Sequence, residues 1–213
     1  GATLAIGRAD GAVDLWDVAL AARVVSLGSG PDIRSLVFSP DGTTVASGSE
    51  DGVVRLWDIA SGIDVAVLRT AGIAGAVNYV AFSPDGSTLA SGYNRGAVIL
   101  WDVRTRTAIS TRQAGNSRVT TVAFSPDGAT LAHANGAGRI GLLDATTGAT
   151  LTAFRNNTPP VSSIALSPDG SSVVTGGAGV LPTLWDLAGR VSKGTFPTYN
   201  TQATWVAFSP DGG

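Results

Sequence analysis

The chain has 213 residues, of which 44% are apolar, so it can bury a core as one domain or as a row of small repeats. Its 14 basic and 16 acidic residues give a net charge of −2, and we therefore expect neither a nucleic acid nor a membrane as partner. The absence of cysteine excludes disulfides, thiolate metal sites and thiol nucleophiles.

No stretch approaches the roughly 18 apolar residues that span a bilayer. The first residues, GATLAIGRADG, lack the basic start and apolar run of a signal peptide. The sequence therefore favours the cytoplasm, although cysteine-free chains occur in every compartment. Methionine is absent even at position 1, which indicates a processed chain, an engineered chain or a piece of something longer.

Two short motifs recur in phase along the chain. The string SPDG occurs five times, at separations of 42 or 44 residues, directly after Phe38, Phe82, Phe124, Leu166 and Phe208. A hydrophobic residue followed by aspartate forms the second series, at Trp16-Asp17, Trp57-Asp58, Trp101-Asp102, Leu143-Asp144 and Trp185-Asp186. Where an SPDG motif precedes a member of the second series, the hydrophobic residue before SPDG and the hydrophobic residue of that member are 19 positions apart. Such periodicity predicts a repeat architecture.

The predicted elements are short strands separated by turns. The chain opens inside a unit, at the second strand TLAIG (3–7). Each later unit begins with an apolar strand such as VNYVAF (77–82). The Pro-Asp-Gly that follows this strand predicts a tight turn of the chain. A second strand follows, then an alternating third strand such as VVRLWD (53–58) and a fourth such as IDVAVL (63–68). No segment keeps a 3.6-residue period, so the fold class is predicted to be all-β.

Five units of about 42 residues with four strands each resemble the WD-repeat (WD40) family over the whole chain. The resemblance implies one β-propeller domain of five four-stranded antiparallel blades, residues 1–213. The expected blades cover about 33–70, 77–113, 119–155, 161–196, and 203–213 together with 3–27. Pairing the N- and C-terminal strands would close the ring and hide two strand edges, which favours a monomer. Self-assembly into a larger ring is the alternative.

The residues offer little for catalysis. The one histidine, His133, lies on a predicted second strand, which favours a structural residue over a general base. The SPDG aspartates are explained by their turns, and no unmatched carboxylate pair remains for glycoside hydrolysis. We therefore predict no catalytic residue, no metal site and no cofactor.

In the family, a polar network inside each blade joins a histidine, a serine or threonine, an aspartate and the tryptophan. The resemblance maps this network only in part onto this chain, because the Gly-His pair is missing from every unit. The matching residues are Ser47, Asp51 and Trp57 in one unit and Asp10 and Trp16 in another.

A position whose residue differs between otherwise similar units is not constrained by the packing that all the units share. We therefore expect contacts with a partner at such positions. The family resemblance places two loop sets on one face, the face most often used for partners. The candidates that we select from these loops are Asp32, Arg34, Asn78, Arg95, Arg118, Gln202 and Trp205.

The leading hypothesis is a non-enzymatic scaffold that binds a protein or peptide of unknown identity through these loops, by analogy with the family. The first alternative is a structural or engineered ring, or the regulatory fragment of a larger bacterial signalling protein, without binding activity of its own. A sugar-binding ring is the second alternative, but the aromatic residues outside the Trp-Asp series are too scattered for one pocket per unit.

Overall fold

The fold is described by a computed structural model of residues 2–28, 30–73, 75–155, 160–189, 191–197 and 203–209, with only the backbone described at Val180. These residues form 19 strands and no helix, so the all-β prediction is confirmed. Within this part of the chain there is accordingly no helix of the length and apolarity that a membrane span requires.

The strands form five antiparallel sheets, four of which have four strands in chain order. Sheet 1 contains β1 (Thr3–Gly7), β2 (Val13–Asp17) and β3 (Ala22–Leu27). Sheet 2 contains β4 (Ile33–Phe38), β5 (Thr44–Ser49), β6 (Val54–Asp58) and β7 (Asp64–Leu68). Sheet 3 contains β8 (Val77–Phe82), β9 (Thr88–Tyr93), β10 (Ala97–Asp102) and β11 (Thr107–Gln113). Sheet 4 contains β12 (Val119–Phe124), β13 (Thr130–Asn135), β14 (Arg139–Asp144) and β15 (Thr150–Arg155). Sheet 5 contains β16 (Ser163–Leu166), β17 (Ser172–Gly177), β18 (Val180–Asp186) and β19 (Val191–Thr195).

In sheets 2 to 5, an SPDG motif forms the hairpin turn between the first and second strands. In sheet 3, Asp85 Oδ1 accepts hydrogen bonds from Ser83 Oγ at 2.5 Å and from the Ser87 amide at 3.0 Å. The bond from Ser83 is the main reason why the pKa of Asp85 is lowered. Gly86 follows with a φ of 73°, which a side chain would strain. The same serine-aspartate bond occurs at Asp41, Asp127 and Asp169.

The aspartate that ends each third strand caps the next turn. Asp102 Oδ1, for example, accepts the Thr105 amide at 2.6 Å, and this bond is the main reason why the pKa of Asp102 is lowered. Equivalent bonds to a main-chain amide are made by Asp17, Asp58, Asp144 and Asp186. Every aspartate of the two recurring series that the structure describes therefore has its carboxylate bound within a turn.

The core consists of the contacts between neighbouring sheets. Trp57 of sheet 2 lies in one apolar cluster with Leu15 and Leu27 of sheet 1. Trp185 of sheet 5 likewise packs on sheet 4, with its ring centroid 4.9 Å from that of Phe154. Each sheet from the second onward thus buries its third-strand face against the preceding sheet.

A glycine in the second strand lets neighbouring sheets approach closely. A Cβ on Gly92 of β9 would lie 2.5 Å from Cγ1 of Val119, which begins the first strand of the next sheet. Gly48 meets Val77 at the same distance. Glycine or, in sheet 4, alanine (Ala134) occupies this position in sheets 2 to 5, because a larger side chain would displace the next strand.

The described residues do not show the closed ring. The predicted fifth blade, 203–213 with 3–27, is a three-stranded sheet here, because β1 pairs with β2 alone. Residues 203–209 form no strand and lie instead beyond sheet 5, where Val206 N donates to Ser163 Oγ at 3.1 Å. The five sheets therefore form an open arc.

We expect Gly92→Ala to lower the free energy of unfolding by about 1 to 3 kcal/mol, because the added methyl group overpacks the contact with Val119. Urea unfolding of both proteins measures the difference. Gly136→Ala is the matched control, since the nearest atom to its added Cβ is the rotatable Ser117 hydroxyl, at 3.1 Å, and Arg118 lies at an ordinary contact distance of 3.8 Å. Equal losses in the two variants would contradict the packing explanation.

Candidate functional site

A cavity of about 370 Å³ lies between the first strands of neighbouring sheets, which we call the inner strands. It brings together three predicted partner residues that are far apart in sequence: Arg34 from β4, Asn78 from β8 and Arg118 before β12. The rest of its lining is Val119, Thr120 and Ser162. We call this the inner-strand cavity.

Strand irregularities place the polar side chains in this cavity. The pairing of inner and second strands shifts by one residue at the positions of Arg34, Asn78 and Thr120, each of which has no cross-strand partner. A bulge of this kind turns the extra residue out of the regular alternation. The repeat thus presents one non-core side chain per unit at the same place.

Three of these side chains also bind the next inner strand. Asn78 Nδ2 donates to the Val119 carbonyl at 3.4 Å, Thr120 Oγ1 to the Val161 carbonyl at 2.6 Å, and Ser162 Oγ to the Thr204 carbonyl at 3.3 Å. These bonds form the floor of the cavity, because each joins a polar side chain of one repeat unit to the main chain of the next.

The two arginines differ in their partners. Arg34 forms an ion pair with Glu50, with 2.9 Å between Nη2 and Oε1. Arg118 is exposed, and its guanidinium has no ion pair or side-chain hydrogen bond to any residue that the structure describes. Of the two arginines that line the cavity, Arg34 is paired with a carboxylate, and Arg118 is open to solvent without a described protein partner.

The other predicted partner residues lie outside this cavity. Arg95 is exposed, and its carbonyl accepts Gln113 Nε2 at 2.6 Å. Asp32 is half-buried, and its carbonyl accepts the Glu50 amide. Trp205 is 68% exposed and lines a separate apolar cavity of about 490 Å³. Gln202 lies outside the described residues.

Sequence reasoning missed Thr120 and Ser162. Both stand four residues before the end of their inner-strand motif, as Arg34 and Asn78 do. Aligning the five units on SPDG would have identified them, but neither is charged or aromatic, so neither attracted attention as a contact residue.

The structure places the predicted network residues in separate contacts. Trp57 Nε1 donates to the buried Ser47 Oγ at 2.9 Å, and Asp51 takes no part in this bond. Asp51 instead accepts the Val53 amide at 3.0 Å and Arg55 Nη2 at 2.7 Å, because it sits in the turn after the second strand.

The first unit has no such network. Trp16 Nε1 is buried without a partner, since Ile6 stands where Ser47 stands in sheet 2. Asp10 accepts the Ala12 amide at 3.3 Å and forms an ion pair with Arg8. The indole-hydroxyl bond recurs only where serine or threonine faces tryptophan, at Trp101 with Ser91 and at Trp185 with Thr175.

Sheet 4 replaces this bond with apolar packing around a neutral histidine. His133 is 4% exposed, and its ring fills the space above Gly141 on the neighbouring strand. Burial, and secondarily the charge of Arg139, lower the pKa of His133 to about 4. Among the described residues, no group of three or more acidic, histidine or cysteine side chains could hold a metal ion.

Comparison with family models now identifies the repeat. The model described as WD domain, G-beta repeat matches residues 23–58 and 66–102. The anaphase-promoting complex subunit 4 WD40 domain matches residues 107–169. The chain belongs to the WD-repeat family. WD repeats generally mediate protein-protein interaction and scaffolding, and their propellers are typically non-enzymatic.

Comparison with solved structures gives the same architecture. A chain in the crystal structure of a mitotic checkpoint complex is 25% identical, with a TM-score of 0.87 over 100% of this chain. This chain spans only 66% of that chain's length. In all, 1790 solved chains match. A fold shared by so many chains does not identify the partner of any one of them. No curated protein matches.

Ser47→Ala should lower the free energy of unfolding of this WD-repeat chain by about 1 to 3 kcal/mol, because it leaves the buried Trp57 indole without an acceptor. Ser110→Ala is the control, since the buried Ser110 hydroxyl has no partner to lose. Thermal and urea unfolding measure both variants. Equal stability of the two proteins would show that the indole-hydroxyl bond contributes nothing.

Acid should destabilise the chain through His133. The pKa of His133 falls from 6.5 to about 4 on folding. Between these pH values, His133 is therefore protonated in the unfolded chain but stays neutral in the folded chain. The free energy of unfolding should fall by up to about 3 kcal/mol between these pH values. Asp41, Asp85 and Asp127, whose pKa values are lowered from 3.8, lose their contribution only at lower pH.

Urea unfolding across pH 4 to 7 tests this dependence against His133→Leu, which has no proton to gain. The variant should show a flatter pH dependence than the parent chain, whatever its stability at neutral pH. An unchanged slope would mean that His133 is not the group responsible.

Proposed function

We propose that this chain is a non-enzymatic interaction module that binds a protein or peptide at the inner-strand cavity. Three observations support the proposal: membership of a family of interaction domains, a rigid floor of hydrogen-bonded inner strands, and polar side chains that the bulges turn towards one place. A site that stays fixed before the partner arrives loses little conformational entropy on binding.

The observation that carries the proposal is the Arg118 guanidinium, which lines the cavity, is exposed and has no ion pair or side-chain hydrogen bond to a described residue. A planar guanidinium can donate two parallel hydrogen bonds to a carboxylate, an arrangement about twice as strong as neutral hydrogen bonds. Its neighbour Arg34 already holds Glu50, which shows that a carboxylate fits beside this rim. The cavity therefore suits an acidic side chain of a partner. Asn78 and Ser162, which also line the cavity, are available to hydrogen-bond the main chain of that partner.

The chemistry of the partner follows from this charge balance. The chain as a whole has a net charge of −2, so it does not attract polyanions in general. A local excess of one positive charge at the cavity instead fixes where a single acidic group of a partner binds. We infer a peptide segment with an isolated aspartate or glutamate, flanked by polar residues. Nucleic acid would need a larger basic surface than this rim offers.

An array of immobilised peptides tests the proposal, with each acidic peptide matched to its asparagine or glutamine counterpart. The parent chain should bind a subset of the acidic peptides. Arg118→Ala should weaken that binding about tenfold or more, as the loss of a charge-assisted hydrogen bond requires.

Arg69→Ala is the control, because Arg69 is also exposed and has no ion pair among the described residues. Its binding should equal that of the parent chain, and both variants should unfold at the parent's temperature. Absence of peptide binding would contradict the proposed function and favour a purely structural role. Equal binding by Arg118→Ala would contradict this site.

A further inference from the structure

Two arginines meet at one end of sheet 4. Arg139 begins β14, Arg155 ends β15, and the two lie directly opposite each other in the antiparallel pair. Both line a cavity of about 190 Å³, whose other lining residues are Ala153 and Phe154. We call Arg139 and Arg155 the outer arginine pair, because β14 and β15 are the two strands of sheet 4 farthest from its inner strand β12.

No carboxylate of the described chain balances this pair. Neither guanidinium makes an ion pair or a side-chain hydrogen bond to a residue that the structure describes. Of the 16 acidic residues, only Asp211 lies outside that part of the chain. Like charges directly opposite each other in a sheet are destabilising. An anion between the two side chains would therefore turn an unfavourable contact into a favourable one.

Sheet 1 shows how two arginines are satisfied when an acidic residue is present. Arg8 and Arg23 both form ion pairs with Asp14, with nitrogen-oxygen distances of 3.4 and 3.7 Å. Asp14 stands three residues before the aspartate that ends its third strand, and Gly141 stands at this position in sheet 4. The outer arginine pair therefore lacks the carboxylate that sheet 1 supplies from its own sequence.

Small residues leave space beside the pair. Alternate residues of a strand share a face, so Gly141 lies on the face of Arg139 and Ala153 on the face of Arg155. Gly141 and Ala153 are themselves cross-strand partners, and the ring of His133 fills the space above Gly141. The cavity beside the arginines has the volume of about six water molecules, which suits a group of a few non-hydrogen atoms.

We propose that the outer arginine pair binds a phosphate dianion, either free phosphate or the phosphate group of a phosphorylated side chain. A phosphate monoester carries about −1.5 to −2 charges at pH 7 and has three acceptor oxygens. Each planar guanidinium donates two parallel hydrogen bonds to such oxygens, so one phosphate can bridge both arginines. A single carboxylate would balance only one of the two charges.

This site is distinct from the inner-strand cavity. The two cavities share no lining residue, and the outer arginine pair comes from the third and fourth strands of one sheet rather than from the first strands of several. Phosphate binding here therefore does not require the peptide binding proposed above.

The one histidine of the chain reports on the site. The charge of Arg139 contributes to the lowered pKa of His133, so the imidazole ring lies close enough to sense that charge. A phosphate bound to Arg139 would balance the charge and change the chemical shifts of the neutral ring. Because the sequence has a single histidine, its ring signals in a nuclear magnetic resonance spectrum need no further assignment.

Titration with inorganic phosphate at about pH 7.5 and constant ionic strength tests the proposal, because phosphate is largely dianionic there. The ring signals of His133 should shift and saturate. Acetate over the same concentration range should give no saturable shift. Arg155→Ala should weaken phosphate binding about tenfold or more, and Arg155→Lys should bind with an intermediate affinity, because lysine keeps the charge but loses the planar fork.

Arg69→Ala is the matched control for these variants. Arg69 is exposed and directly follows β7, but Val53 takes the place of Arg139 in that sheet, so Arg69 has no arginine opposite it. This variant should bind phosphate as the parent chain does. The proposal is overturned if the parent shows no saturable shift, if acetate binds equally well, or if Arg155→Ala binds phosphate as tightly as the parent.

Thermal unfolding separates lost binding from lost structure. Arg155→Ala removes a contact between like charges, so it should unfold at or above the parent's temperature. Phosphate should raise the unfolding temperature of the parent more than chloride does at equal ionic strength, because it binds only the folded chain. An equal rise in Arg155→Ala would contradict the site.

Peptides distinguish the two sources of the phosphate group. A phosphoserine peptide that binds more tightly than inorganic phosphate, while its serine counterpart does not bind, identifies a phosphorylated partner. Tighter binding of inorganic phosphate identifies the free ion, and either result supports the site. None of these outcomes depends on Arg118, so this site and the inner-strand cavity can fail independently.

Discussion

The packing of each sheet's third-strand face on the preceding sheet is the contact on which the rest of the structure depends. Each sheet is too small to bury its own apolar side chains, so Trp57, Trp101 and Trp185 are buried only because a neighbour covers them. The closeness of that contact favours a glycine or alanine on the second strand. Within sheet 2, the buried Trp57 indole donates to the hydroxyl group of Ser47 on the adjacent strand. Stability is therefore shared between sheets rather than held within one.

The same contact explains where the repeat can change its sequence. Sheet 4 has Leu143 in place of tryptophan and His133 in place of serine, and Gly141 provides the space for the imidazole ring. The contact between sheets remains apolar, but a titratable group is now held neutral inside it. Polar partners within a blade are thus replaceable, provided that the volume between neighbouring sheets is filled.

The candidate site and the open ends follow from different parts of one repeat. The inner strands bind one another through bulged polar residues, which leaves the inner-strand cavity and the Arg118 guanidinium available to a partner. Among the described residues, no sheet precedes sheet 1 and none follows sheet 5, so Leu4, Ile6 and Leu184 are more exposed than their counterparts in the other sheets.

The sequence by itself determined the all-β fold, the repeating unit and the turn role of the aspartates, because SPDG and Trp-Asp act through local hydrogen bonds. It also selected Arg34, Asn78 and Arg118 as variable positions. Only the tertiary structure decided that these three share a cavity while Arg95 and Trp205 do not, and that Asp51 belongs to a turn rather than to the indole bond. It also decided that the described arc is open, because the angle between sheets depends on packing across many residues and not on the length of the repeat.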